Sequence, residues 1–182
     1  MEPMTLSVDA RISKITIRTR ASGMLARLAH DLEIAATDIR GQATRDDNGF
    51  SGEMSVAIAG LRVTGQLHGD RVDSAGISNS DRHEIERKIR DEVFAGAREI
   101  VVRGRGAAWT NADVTVEAPH GKMPVSASIQ GTETDGGIRV TGRTELSLSR
   151  LGVKEIKGPL GAFKVKDAVE VLFEITLRPP QQ

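Results

Sequence analysis

The feature that most constrains the fold is a pair of alternating runs near the end of the chain, Val140 to Ser149 and Val169 to Leu177. In the second run every other residue is apolar, and in the first Val140, Leu146 and Leu148 share one face. An apolar residue at every second position is typical of a β-strand with one buried face. The two runs, separated by a glycine-rich connector, therefore predict neighbouring antiparallel strands with one face toward water.

Similar runs recur along the rest of the chain. They cover residues 11–19, 32–36, 39–43, 50–63, 99–109, 113–118 and 123–130. The phase of the alternation shifts by one residue after Ala36 and again after Gly60, and such a shift indicates a β-bulge of the kind that lets a barrel turn a corner. The sequence DDNG at 46–49 predicts a tight hairpin turn. We therefore expect about eight antiparallel strands in a single domain that spans residues 1–182.

Two helical segments interrupt the strands. The longer spans Ser80 to Phe94, where Asp81 and Glu84 resemble a capping box and Gly96 can end the helix. The shorter is GMLARLAH at 23–30, with apolar residues at helical spacing over about two turns. The expected fold is mainly β, a closed antiparallel barrel of about eight strands capped by one short and one longer helix.

The composition excludes several classes of function. The 25 basic residues balance the 25 acidic residues, and aromatic residues make up only 3% of the chain, so a nucleic-acid-binding role is not expected. Cysteine is absent, which excludes disulfides, thiolate metal sites and cysteine nucleophiles. No run approaches the roughly 18 apolar residues of a membrane helix, so we expect no integral membrane segment.

The N-terminal residues give an expectation about location. The opening MEPMTLSVDARISK lacks the positive charge and apolar run of a secretory signal. A cytoplasmic protein is therefore expected from the chain as given, or a periplasmic one if a leader was removed.

Each catalytic motif that the sequence begins is left incomplete. His83-Glu84 starts like a zinc-protease helix, but the position four after His83 is Arg87. Gly104 and Gly106 start a dinucleotide-binding pattern, but they lie in a predicted strand without the third glycine. We therefore predict no catalytic residue, no metal ligand and no cofactor.

His30 and Asp31 form the most notable polar pair, because they lie where the short helix meets a strand. We expect them at the polar rim of a cavity, tying the turn to the backbone through hydrogen bonds. The alternative is an enzyme that uses this pair, in which case His30→Ala would abolish an activity while leaving the melting temperature nearly unchanged.

The inward face of the predicted barrel mixes large residues with many small ones, among them Ala36, Gly104, Ala127 and Gly142. A barrel of about eight strands either fills its interior or holds one small ligand, and small inward residues leave volume. The predicted ligand contacts are Leu25, Leu28, Ile34, Phe50, Met54, Ile100, Val102, Leu148, Phe163 and Phe173. The alternative is a packed core in which small residues only accommodate the coiling of the strands.

Three stretches give the chain a likeness to a known family: DRHEIERKIRDEVFAGAREIVVRGRG, PHGKMPVSASI and GRTELSLSRLGVKEIKGPLGAFKVKDAVEVLFEI. In their order and spacing, from about Ser13 to Leu177, the chain resembles the YceI-like family of bacterial proteins. That resemblance implies a lipocalin-like antiparallel barrel that binds a polyisoprenoid, and His30 matches a histidine that family members often carry early in the chain.

The sequence supports a non-catalytic barrel that binds an amphiphilic or isoprenoid-like lipid, with the apolar chain inside and the polar end near the helix-closed mouth. The rival is a filled-core barrel with a structural or regulatory role, which acts through a protein surface. This rival predicts an exposed apolar patch around Leu61, Val63, Val101 and Leu172. Under either interpretation a second copy of the chain is a candidate partner, in a homodimer.

Overall fold

The computed structural model describes residues 2–24 and 29–180. The described part is mainly β, as the alternating runs predicted. The strands are, in chain order, β1 (Met4–Val8), β2 (Lys14–Thr19), β3 (Ala21–Ser22), β4 (Leu32–Ala36), β5 (Ile39–Asp46), β6 (Gly49–Ala57), β7 (Leu61–His68), β8 (Arg71–Asp73), β9 (Glu99–Gly106), β10 (Asn111–Ala118), β11 (Gly121–Thr134), β12 (Gly137–Ser147), β13 (Lys164–Val165) and β14 (Ala168–Arg178).

Eight of these strands close into a ring, in the order β1-β5-β6-β9-β10-β11-β12-β14. All of its pairings are antiparallel, and the ring is closed by β14, which pairs with β1 at Leu177 and Arg178. The predicted closed antiparallel barrel of eight strands is therefore confirmed. The two runs on which the prediction rested, β12 and β14, pair over ten residues from Ile138↔Leu177 to Ser147↔Ala168.

The sheet continues beyond the ring through β2, β4, β7 and β8, because β14 also pairs with β2 from Glu170 to Glu174. The two phase shifts expected as bulges lie where the chain passes between the ring and this extension. They are breaks rather than bulges: residues 37–38 separate β4 from β5, and a 3-10 turn, Ile58–Gly60, separates β6 from β7. The broken ends bond to each other, since the Thr37 amide donates to the Gly60 carbonyl at 3.0 Å.

The longer helix is a continuous segment of 15 residues, formed by α1 (Asn79–Lys88) and a π-helical turn at Ile89–Val93. The expected capping box was misplaced by three residues, because the N-cap is Ser78. The Ser78 hydroxyl accepts a hydrogen bond from the Asp81 amide at 3.1 Å and donates one to the Asp81 carboxylate at 2.7 Å. Ser78 has extended backbone angles, as an N-cap requires, whereas Asp81 is already inside the helix.

This helix covers an open edge of β7. The Glu86 carboxylate accepts from the Val63 amide at 3.0 Å, and the Arg82 guanidinium donates to the Val63 carbonyl at 2.6 Å. Two side chains thus bond the backbone groups that a neighbouring strand would otherwise bond, and an exposed strand edge is avoided. This role explains why a helix with few apolar residues is retained against the barrel.

The core consists of two clusters of buried apolar residues. The larger includes Leu6, Ile39 and Ile58, each at most 2% exposed. The smaller lies around Met123 and Leu151, at the end of the barrel where the glycine-rich connector begins. Leu61 and Val63 belong to the larger cluster at 4% exposure each, so the exposed patch that the filled-core alternative predicted around them does not form.

Candidate functional site

The barrel encloses an apolar cavity of about 260 Å³ where the two core clusters meet. Phe94, Ile100 and Val114 line it and pack against both clusters. The full lining is Ile15, Ile17, Phe50, Met54, Val56, Leu61, Phe94, Ile100, Val102, Ala112, Val114, Val116, Val125, Ala127, Ile129, Val140, Thr144, Leu146, Leu148, Leu151, Val169, Val171, Phe173 and Ile175. Only Thr144 among them carries a polar side chain, so the cavity is suited to an apolar occupant.

Most of the described residues predicted to contact a ligand lie on this cavity. Those that line it are Phe50, Met54, Ile100, Val102, Leu148 and Phe173. Ile34 lies in the larger core cluster and not on the cavity wall, and the ring of Phe163 packs against Gly158 in the connector. Leu25 and Leu28 lie outside the described residues, as does the centre of the short helix expected at 23–30.

The small inward residues account for only part of the empty space. Gly142 lies beneath the ring of Phe173 and Gly106 beneath the ring of Phe50, where a side chain would leave no room for either ring. These glycines therefore accommodate aromatic rings and do not open the cavity. Gly104 differs, because an added Cβ there would approach only Val114, at an ordinary contact distance of 3.8 Å.

One end of the barrel is closed by a pair of aromatic rings. Phe50 and Trp109 stack with ring centroids 4.0 Å apart and planes 5° from parallel. Trp109 comes from the loop between β9 and β10 and packs against Gly131 of β11. The Cβ of Trp109 lies so close to Gly131 that no side chain fits at position 131. The Trp109 carbonyl accepts from the Gly131 amide at 2.9 Å. Backbone and ring contacts thus hold this loop over the end of the barrel.

The other end is covered by the connector between β12 and β14. Leu148 and Leu151 of the connector line the cavity, and Leu151 is 5% exposed. Asp167 fixes the base of the connector: its carboxylate accepts from the Ser147 hydroxyl at 2.6 Å and from the Ser149 amide at 2.7 Å. Both bonds lower the pKa of Asp167 below its ordinary value, and the bond from the Ser147 hydroxyl has the larger effect.

The same architecture occurs in a solved structure. The crystal structure of BcnA from Burkholderia cenocepacia is similar to this chain with a TM-score of 0.65, at 13% sequence identity, over 93% of this chain and 98% of BcnA. At that identity the likeness shows the fold alone. No protein-family model matches the sequence, and no curated protein matches it.

The polar pair expected at the rim is not on the cavity wall. His30 is exposed to solvent. The carboxylate of Asp31 accepts from the Ala21 amide at 2.8 Å and lies 3.4 Å from the Arg20 guanidinium. It is therefore Asp31 that ties the end of β2 to the start of β4, and both of its oxygens are engaged in that structural role.

Sequence reasoning missed several residues that shape the cavity. Trp109 ends a predicted strand and Phe94 ends the predicted helix, while Leu151 lies in the connector between two predicted strands. Each depends on a long-range contact that alternation within one strand cannot reveal.

Within residues 2–24 and 29–180 there is no cluster of three or more histidines and carboxylates that could hold a metal ion. The helices of that same part of the chain are too short or too polar to cross a membrane.

Proposed function

We propose that this protein is a non-catalytic binding protein that holds the apolar chain of an amphiphilic lipid in the barrel cavity. The observation that carries the proposal is the cavity itself, whose wall presents only apolar surface. An apolar cavity of about 150 Å³ in a protein stays dry and takes up apolar molecules. A cavity of 260 Å³ with the same kind of wall favours an apolar occupant more strongly.

The size of the cavity limits the ligand. Small-molecule pockets commonly span roughly 300–1,000 Å³, so this cavity is at or below the small end of that range. A slender chain fits such a volume better than a fused ring system. Each buried CH₂ group contributes about 0.8 kcal/mol, so a chain of several carbons supplies enough free energy for measurable affinity after the cost of ordering.

The cavity presents no polar surface to an occupant, although Thr144 lies on its wall between Gly142 and Leu146 on the inward face of β12. Such a wall binds a ligand through its apolar chain alone. An amphiphile would therefore place its chain among the residues around Phe173 and Met54 and its polar end beyond the connector.

The family likeness narrows the ligand class within this proposal. The three stretches that resemble the YceI-like family cover the helix, β9, and parts of the barrel strands β11, β12 and β14 with the connector between them, and the fold is shared with BcnA. The resemblance and the shared fold support an isoprenoid-like chain as the first ligand to test. The branched methyl groups of such a chain would pack against the many valines of the wall.

Native mass spectrometry tests the proposal directly. Protein purified without detergent is expected to carry a lipid adduct, and extracted protein is expected to regain one when mixed with a short polyprenol. Gly104→Leu places a side chain toward the cavity beside Val114, in the one inward glycine position with room for it. This variant is expected to lose at least about tenfold in affinity for the polyprenol, since it occupies space that the chain would fill.

Arg105→Leu is the matched control. It adds the same side chain at the next position of β9, which points to the exposed outer face. The control should bind like the wild type. Polyprenol binding by Gly104→Leu equal to that of the control, or failure of the wild type to bind any apolar chain, would refute the proposal.

A further inference from the structure

The connector carries an exposed apolar tip. Leu160 is fully exposed, at 107% of its reference area, and its φ of 55° lies in the left-handed region. Met24 is 97% exposed, and its neighbour Gly23 lies against the backbone at Phe163. Pairing of β3 with β13 fixes the two segments side by side. Met24, Leu160 and the half-exposed Phe163 form what we call the apolar tip.

The residues around the apolar tip are strongly basic in a chain that is neutral overall. Between 150 and 167 there are five basic residues and two acidic ones, which leaves 20 basic and 23 acidic residues for the rest of the chain. The basic residues are Arg150, Lys154, Lys157, Lys164 and Lys166.

The two carboxylates neutralise only part of this charge. Glu155 bonds both Lys157 and Lys164, at 3.1 Å and 3.0 Å. Asp167 is occupied by two serines. Among the described residues no carboxylate pairs with Lys154 or Lys166, so their ammonium groups are available to an external anion.

The connector joins the apolar tip to the cavity. Leu148 and Leu151 line the cavity, Ile156 packs on the same cluster as Leu151, and the chain reaches Leu160 four residues later. The connector therefore has one part packed against the inside of the barrel and another that carries the most exposed leucine.

We propose that the apolar tip and its five basic residues form a docking surface for an anionic lipid bilayer. Exposed apolar side chains enter the interface between headgroups and acyl chains, while Lys and Arg attract anionic headgroups. The exposed apolar side chains and the lysines without carboxylate partners together match an anionic bilayer, which offers both hydrocarbon and negative charge. The docking surface goes beyond the proposed lipid binding, because it needs no ligand in the cavity.

Vesicle flotation with purified full-length protein tests the docking surface. The wild type is expected to float with phosphatidylglycerol vesicles and not with phosphatidylcholine vesicles, and to dissociate when salt is raised, because surface charges are then screened. Lys154→Glu with Lys166→Glu should weaken binding at least about 25-fold, at about fivefold for each charge lost. Leu160→Asn should weaken it about tenfold, since one leucine no longer leaves water.

Matched variants keep the outcome clear. Lys14→Glu changes the net charge on β2, away from the connector, and Ile12→Asn removes another exposed apolar side chain; both should bind vesicles like the wild type. Gly104→Leu should also float normally, which separates docking from cavity binding. Failure of the wild type to float with phosphatidylglycerol vesicles would overturn the proposal. A dimer in light scattering that Leu160→Asn converts to monomer would overturn it too, since a second copy would then cover the tip.

Discussion

The two ends of the barrel use apolar residues in opposite ways. At one end the Trp109 ring stacks on Phe50 and packs against Gly131, which has no side chain to compete with it. At the other end Leu160 and Met24 are exposed to solvent, and the flanking side chains are lysines and an arginine. The first arrangement buries apolar surface and stabilises the fold. The second leaves apolar surface exposed, which lowers the solubility of a free protein unless a partner covers it.

The two ends therefore differ in how much they contribute to the stability of the fold and to binding. The closed end contributes to the free energy of unfolding, because its contacts are lost when the chain unfolds. The connector end divides its residues between the two roles: Leu151 and Val153 are buried in the smaller core cluster and contribute to that free energy, whereas Leu160 and Met24 are exposed and are free to act on an external surface. Stability measurements and binding measurements should therefore separate the two ends.

The largest expected effect is at the closed end. Trp109→Ala removes the stack with Phe50 and the packing on Gly131, and leaves a void beside the cavity. Because Trp109 is half-buried, we expect a loss of about 3 kcal/mol in the free energy of unfolding, at the low end for an aromatic truncation. Urea denaturation followed by circular dichroism measures this loss.

Trp109→Phe is the matched control for that measurement, because phenylalanine retains a ring that can stack on Phe50. It should lose less than half as much free energy as Trp109→Ala. Equal losses for the two variants would mean that ring stacking does not hold the loop, and the contrast between the ends would then need another basis.

The fold was largely predictable from the sequence because the barrel is built from local patterns. Alternation gave the strands of the closing pair, and DDNG gave the turn at which Asp46 pairs with Gly49. The breaks at 37–38 and 58–60 were detected as phase shifts but misread as bulges. A shift in phase shows only that the buried face of the run changes from one set of alternate residues to the other. The hydrogen bond between Thr37 and Gly60 is what shows that the break between β4 and β5 lies beside the break between β6 and β7.

The candidate site was predictable in part, for a physical reason. Phe50, Met54 and Phe173 could be assigned to the cavity because each lies on the inward phase of a strand. Phe163 could not be placed correctly, since its ring packs within the connector on Gly158, at a position with no periodic neighbours. A side chain has room at Gly104, which has open space beside it, but not at Gly142, which lies under the ring of Phe173. The composition of the inward face does not distinguish these two glycines.

An intermediate effect is expected where the connector is fixed to the barrel. Asp167→Asn removes a carboxylate that accepts bonds from Ser147 and Ser149, so the melting temperature at pH 7 should fall, though by less than in Trp109→Ala. Because those bonds lower the pKa of Asp167 below 3.8 in the folded state, its stabilisation is complete above that pH. The stabilisation is lost as the pH falls through the lowered value.

The pH dependence distinguishes this role from a general loss of charge. The difference in melting temperature between wild type and Asp167→Asn should narrow as the pH falls below about 4, where the wild type loses the same bonds. Asp135→Asn, in the exposed turn between β11 and β12, should match the wild type throughout. A difference that stays constant down to the lowest pH at which the protein is folded would contradict the role assigned to Asp167.

The smallest expected effect on stability is at Leu160, and it makes the comparison sharpest. Leu160 buries no surface and has a φ of 55°, a conformation that asparagine tolerates better than leucine. Leu160→Asn should therefore change the free energy of unfolding by less than about 0.5 kcal/mol, as at most exposed positions. Urea denaturation of this variant beside Trp109→Ala checks the contrast. A loss above about 1 kcal/mol would show that Leu160 is packed in solution, and the apolar tip would then belong to the fold and not to an external surface.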